Sequence, residues 1–214
     1  MNDYQRESLD FAVGVGAIRF GEFVLKSGRV SPYFLNTGAF NSGTALARLG
    51  EFYAAAALDC GTAFDMVYGP AYKGIPLAVV TAVALATEHG RDVPYAFNRK
   101  ETKNHGEGGA IVGAPLRGRV LIVDDALSAG TSVREAVETI KHARARPAAL
   151  LIALDRQERG SGKISAAQEV AHAHGIRVAS IANLDTLVSY LVEQGRSRDH
   201  LDAIAAYRKT YGSE

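Results

Sequence analysis

One stretch, Val120-Leu-Ile-Val-Asp-Asp-Ala-Leu-Ser-Ala-Gly-Thr-Ser132, does most to limit what this chain can fold into. Residues 120–123 are four consecutive apolar positions, β-branched enough to form a strand buried on both faces, and such strands belong to parallel sheets. Small residues follow at 128–132, and then Val133, Val137 and Ile140 recur at helical spacing. Strand, turn and helix in this order predict an α/β fold with a central, mainly parallel sheet flanked by helices. The same geometry aims backbone N–H groups and the positive end of a helix dipole at one spot, which favours an anion. Asp124 and Asp125, between strand and turn, cannot bind phosphate. They suit sugar hydroxyls or the edge of a hydrated Mg²⁺. A capped strand-to-helix turn needs only one Asp or Ser. A double Asp followed by Ser-Ala-Gly-Thr-Ser suits a ligand with a phosphate at one end and a sugar diol beside it, and a ribose 5-phosphate fits.

The 214 residues, 47% of them hydrophobic, can bury a sizeable core, and no repeat, low-complexity tract or linker divides them. One domain spanning residues 1–214 is expected. A net charge of +1 argues against nucleic acid or an anionic membrane as the main partner. The opening MNDYQRESLDF is too polar and acidic for a secretory leader, and no apolar run approaches the ~20 residues of a membrane span. A cytoplasmic protein is expected. Cys60, the single cysteine, precedes Gly61 at a helix end and reads as a packing residue.

In chain order, residues 3–17 read as an amphipathic helix with Leu9, Ala12, Val13 and Gly16 on one side. Gly14-Val-Gly16 is no dinucleotide fingerprint, because Arg19 stands where a glycine is required and no strand precedes it. Residues 20–36 read as two short strands around Ser27-Gly28, a hood over a site, with Lys26 at its tip. A solvated turn lysine is the plainer reading of Lys26. Asn41 or Ser42 caps a helix to about Asp59, with Leu46, Leu49, Tyr53 and Ala57 inward.

Residues 66–68 form a strand that feeds Gly69-Pro-Ala-Tyr-Lys-Gly-Ile-Pro76 and a nearly all-apolar, buried helix at 77–88. Gly69 and Gly74 have P-loop spacing, but Ile75-Pro76 replaces the Lys-Ser/Thr that a nucleoside triphosphate needs. A tight loop with one cation, Lys73, remains at a strand's carboxyl end, where open parallel sheets bind ligands. After a strand at 94–97, the polar, glycine-rich residues 99–109 carry Arg99, Lys100, Lys103 and His105. A mobile surface loop and a lid over a polyanion fit them equally.

Residues 148–154 form a strand ending at Asp155-Arg156, which makes Arg156 a candidate substrate contact or a solvated arginine. A helix at 164–174 places His172 and His174 on different faces, a poor metal pair. A strand at 177–181, a helix capped by Asn183 with Leu184, Leu187, Val188, Leu191 and Val192 inward, and a helix at 198–211 complete the chain.

Residues 124–132 resemble the phosphoribosyl-pyrophosphate (PRPP) motif of the type I phosphoribosyltransferases. End to end the chain is similar to the bacterial-type orotate phosphoribosyltransferases. Besides Val123-Asp-Asp125, the matching pieces are Lys26-Ser-Gly-Arg with Ser-Pro-Tyr-Phe34, Gly69-Pro-Ala-Tyr-Lys-Gly-Ile-Pro76, Asn98-Arg-Lys-Glu, the stretch 103–109, and Leu154-Asp-Arg-Gln-Glu-Arg-Gly160. The resemblance implies the type I phosphoribosyltransferase fold with a small N-terminal hood (residues 1–40) and a lid at about 99–109. It implies transfer of the phosphoribosyl group from PRPP to orotate, in pyrimidine biosynthesis.

Carried over by position, Lys103, Asp124 and Asp125 are catalytic. Lys26, Tyr72, Lys73, Arg99, Lys100, Lys103 and His105 join Asp124, Asp125, Ala126, Leu127, Ser128, Ala129, Gly130, Thr131 and Ser132 in binding PRPP. Lys26, Phe34, Leu35, Ser128 and Arg156 border orotate. Mg²⁺ is expected near Asp124 and Asp125, held mainly by pyrophosphate and water with no direct protein ligand. The resemblance also implies a homodimer with shared lids, and often a cis peptide before Tyr72. Two positions depart from the family: Ser128 replaces Thr, and Leu35 replaces an aromatic. A phosphoribosyltransferase for another base would lack the Lys26 hairpin and Arg156. A non-catalytic PRPP-sensing regulator would normally add a nucleic-acid-binding domain.

Overall fold

The computed structural model describes the backbone of residues 1–103, 109–127, 130–195 and 198–213, and the side chains of these except 101–103 and 109. The N-terminal part comprises α1 (Asp3–Gly14), the strands β1 (Ile18–Val24) and β2 (Val30–Leu35), a 3-10 turn (Thr37–Ala39) and α2 (Gly43–Asp59). The middle runs β3 (Met66–Gly69), α3 (Gly74–His89), β4 (Tyr95–Lys103), β5 (Gly109–Gly113) and β6 (Arg119–Asp124). Then come α4 (Thr131–His142), β7 (Arg146–Asp155), α5 (Ala166–His174), β8 (Arg177–Asn183), α6 (Leu184–Glu193) and α7 (Arg198–Tyr211).

Six strands form the central sheet in the order β5-β4-β3-β6-β7-β8, and β1 pairs with β2 in a separate antiparallel hairpin. The central sheet is parallel except at its edge, where β5 runs antiparallel to β4. Residues 120–123 of β6 have no exposed surface. Because successive side chains point to opposite faces, Leu121 and Val123 belong to the core that α2, α3 and α6 share. Val120 and Ile122 pack with Val133, Val137 and Ile140 of α4. Helices therefore cover both faces of a strand that is apolar on both, as its composition requires. On the first of these faces α2 and α3 approach closely at Gly50, where a Cβ would stand 2.5 Å from the Val80 carbonyl oxygen.

Several sequence expectations need correction. Residues 99–103 are not loop but the second half of β4, and Lys103 pairs with Gly109 of a strand that the sequence reading missed. That pair lies at the sheet edge, where backbone hydrogen bonds hold polar residues in a strand without an apolar alternation to reveal it. Val192, expected inward, is 60% exposed, and Tyr190 is buried in its helix instead. The first helix stops at Gly14 and the fifth begins at Ala166, capped by Ser165. Cys60 packs as expected, buried, with its thiol donating to the Ala57 carbonyl.

Candidate active site

In a parallel sheet the strands point the same way, so the loops after β3, β6 and β7 emerge along one edge. β6 ends in the acidic pair. Asp124 is buried, its carboxylate accepts the Asp125 N–H at 2.9 Å, and its carbonyl accepts the Tyr53 hydroxyl at 2.8 Å. Asp125 projects further: Oδ1 accepts the Ala126 N–H at 2.9 Å, while Oδ2 accepts Lys73 Nζ at 2.5 Å and Thr37 Oγ1 at 3.1 Å. Burial pushes the Asp124 carboxyl up to about 6, and the Asp125 charge adds to the shift. The Asp125 N–H and the Lys73 ammonium oppose it.

Beyond the pair, Ala126 and Leu127 lead towards α4. Ser128 and Ala129 lie outside the described residues. Gly130 caps α4 at φ 71°, a left-handed conformation that suits glycine, and accepts the Arg134 N–H. Thr131 and Ser132 form the first helical residues, so the N–H groups of this end open beside the acidic pair.

The loop after β3 packs tightly against β6. A Cβ on Gly69 would stand 1.9 Å from the Gly74 carbonyl oxygen, and one on Gly74 would stand 2.9 Å from that of Val123. The Ala71–Tyr72 peptide is cis, and the Ala71 N–H donates to Asn98 Oδ1 at 2.8 Å. Tyr72 is 67% exposed, and Lys100 Nζ lies 4.8 Å from its ring centre. Lys73 thus meets Asp125, and Lys100 meets Tyr72 in the same loop. Arg99 is half-buried on β4. The backbone of Lys103 ends that strand, but its side chain, like the whole of His105, lies outside what the structure describes.

The hairpin stands over the other end. Lys26 is exposed in the turn, Phe34 stacks on Phe23 with ring centres 5.5 Å apart, and Leu35 packs against the core. Arg156, at the end of β7, donates from Nη2 to Ser31 Oγ of β2 at 2.8 Å and from Nε to Glu158 Oε1 at 2.6 Å. Thr37, Asn98, Ser31 and Glu158 hold predicted site residues, yet sequence reasoning passed over them. Each is an ordinary polar residue whose partner comes from the fold; Ser31, Asn98 and Glu158 lie inside the matching pieces of sequence, and Thr37 had no local signal.

Chemically, one edge carries an anion-accepting helix end, two carboxylates, and cations on either side. Among the described residues no group of three or more His, Cys, Asp or Glu side chains could hold a metal ion.

Residues 37–171 match the family model described as a phosphoribosyl transferase domain. An orotate phosphoribosyltransferase of Thioalkalivibrio sulfidiphilus is 59% identical over 99% of this chain and 100% of its own length. One of Pseudomonas aeruginosa is 58% identical with the same coverage. The crystal structure of orotate phosphoribosyltransferase from Francisella tularensis superposes with a TM-score of 0.87 at 37% identity, covering 96% of this chain and 98% of that one. With its double Asp at the end of β6 and its hood at the end of β7, the chain belongs to the orotate phosphoribosyltransferases.

Proposed function

We infer that the loop after β6 receives the ribose and 5-phosphate of PRPP while the hood and Arg156 hold orotate. The enzyme transfers the 5-phosphoribosyl group from PRPP to orotate, giving orotidine 5′-monophosphate and pyrophosphate in pyrimidine biosynthesis. One observation carries the placement of the donor. Lys73 from the loop after β3 and Thr37 from the turn after the hood converge on a single oxygen of Asp125, beside the N-terminus of α4.

Breaking the bond from ribose C1 to pyrophosphate leaves an oxocarbenium-like carbon and a strongly anionic leaving group. A protein helps by positioning the parts and by placing cations where charge develops. Asp124 and Asp125 accept hydrogen bonds from the ribose hydroxyls. The N–H groups and hydroxyls of residues 126–132 hold the 5-phosphate. Tyr72, Lys73, Arg99, Lys100, Lys103 and His105 meet the pyrophosphate. Lys26 and Arg156 pair with the carboxylate and ring oxygens of orotate, beside Phe34, Leu35 and Ser128.

Two carboxylates, one already engaged by Lys73 and Thr37, make a poor cage for a metal, but they fit Mg²⁺ held by pyrophosphate oxygens and water. Bound Mg²⁺ would neutralise charge on the leaving group. The working unit is a homodimer in the cytoplasm, each lid serving its neighbour's site. No described helix is long and apolar enough to cross a membrane.

The test is the loss of orotate absorbance on mixing the protein with PRPP and Mg²⁺. The expected loss is one orotate per PRPP and stops when a chelator removes the metal. Equal or faster use of hypoxanthine, guanine or uracil would overturn the choice of base.

A further inference from the structure

The turn that carries Arg156 is fastened to several distant parts of the chain. Gln157, next in sequence, has φ 52°, a left-handed conformation that residues with a Cβ seldom adopt. Its side chain donates to Asp185 Oδ2 at 2.8 Å and accepts the Asp185 N–H at 3.1 Å, and its carbonyl accepts the Ser213 N–H at 3.0 Å. Glu158 then folds back on Arg156. Oε1 of Glu158 accepts Arg156 Nε at 2.6 Å and the Tyr207 hydroxyl of α7 at 2.9 Å, while Oε2 accepts Arg29 Nη1 at 3.1 Å. The guanidinium lies 4.2 Å from the centre of the Tyr33 ring.

We propose that Glu158 is a positioning residue for Arg156, and that α7, through Tyr207, holds Glu158 in place for it. The proposal rests on the assignment of Arg156 to orotate and says what keeps that arginine in register. A guanidinium recognises a carboxylate through one planar edge, so rotation about its side chain forfeits the match. Glu158 Oε1 lies 2.6 Å from both Nε and Nη2, Ser31 takes Nη2 as well, and neither uses Nη1; Tyr207 bonds Arg156 as well as Glu158. The side chains of Arg156 and Glu158 are only 17% and 15% exposed, so water competes weakly for the pair. Three donors, from Arg156, Arg29 and Tyr207, occupy the Glu158 oxygens, so that its charge is met within the cluster.

Steady-state kinetics of Glu158→Ala, Glu158→Gln, Tyr207→Phe and Arg156→Ala test this, with orotate and PRPP varied separately. Glu158→Ala is expected to raise KM for orotate about 10- to 100-fold, the worth of a hydrogen bond to a charged group. The KM for PRPP and kcat should stay within about threefold, because only base binding is weakened. Glu158→Gln keeps an oxygen for Arg156 Nε and should restore most of the affinity. Tyr207→Phe should raise orotate KM about two- to fivefold. In an Arg156→Ala background, Glu158→Ala should add less than about twofold, because its effect runs through the arginine.

If Arg156→Ala weakens orotate but Glu158→Ala leaves it unchanged or tighter, the positioning role is overturned. It is equally overturned if both KM values rise together, which marks a merely structural residue. If Arg156→Ala itself leaves orotate KM unchanged, the assignment beneath the proposal fails, and the proposal with it. Should Glu158→Ala not fold, an unchanged orotate KM in Tyr207→Phe decides against it.

Discussion

Asp124 bears its charge where the fold has taken away most of the water. Burial, helped by Asp125, raises its carboxyl to about 6 from an ordinary 3.8. The folded protein therefore holds that proton more tightly than the unfolded chain. The resulting stability is complete below the unfolded value and is lost as pH rises through about 6. Asparagine cannot ionise, yet its oxygen can still accept the Asp125 N–H. Asp124→Asn should therefore melt several degrees above wild type at pH 8, a gain on the order of 2 kcal/mol, and the two curves should converge below about pH 4. Activity should move the other way, since a neutral amide binds the ribose hydroxyls less well. Thermal melts across pH check the first half, and a variant no more stable at pH 8 would contradict it. Asp124, Asp125 and Lys73 were legible in the sequence because charges at the ends of apolar strands stand out. Thr37 was not, since its partner Asp125 lies 88 positions away and only the fold brings them together.

Among the elements, the β3–α3 junction tolerates the least change. Gly69→Ala would press a methyl group into the Gly74 carbonyl and the Ala78 side chain. It should cost on the order of 3 kcal/mol, lower the melting temperature by roughly 6–12 °C, and displace Lys73 from Asp125. Calorimetry that finds the variant as stable as wild type would show that the junction can relax. Lys103 offers the contrast, because it ends β4 beyond the part that pairs with β3 and meets only the edge strand β5. Lys103→Ala should leave the melting temperature unchanged and slow turnover by about 10²–10³, the scale of a lost transition-state donor. Activity within a factor of two of wild type would remove Lys103 from the catalytic set. Most elements were legible from apolar periodicity, β6 and α4 most clearly. β4 beyond Asn98 and all of β5 were not. β4 beyond Asn98 is polar, and β5 is only five residues, with Ala110, Ile111 and Val112 between two glycines, so neither shows the alternation that marks a strand.

For the whole molecule, the proposed shared lid makes a prediction about mixtures. Subunits with Lys103→Ala, re-annealed with subunits carrying Asp124→Asn and Asp125→Asn, form heterodimers with one doubly damaged site and one intact site if Lys103 acts across the two-fold axis. Equal mixing should then restore roughly a quarter of wild-type activity. Activity no higher than the parents' average, with heterodimers confirmed by mass, would mean that each lid serves its own subunit. The fold class and the sheet edge that carries the candidate site were legible at this scale, because one strand-turn-helix constrains both. The fastening of Arg156 was not, because Arg29, Ser31, Glu158 and Tyr207 meet only in three dimensions. That fastening has a consequence for the order in which the protein is made. A ribosome finishes the donor loop at Ser132 but does not deliver Tyr207 until several seconds later, at about 5–20 residues per second. Over that interval the residues proposed to cradle the phosphate have been made while the hydroxyl proposed to steady Glu158 has not, so on this reading selectivity for the base is among the last properties the chain acquires.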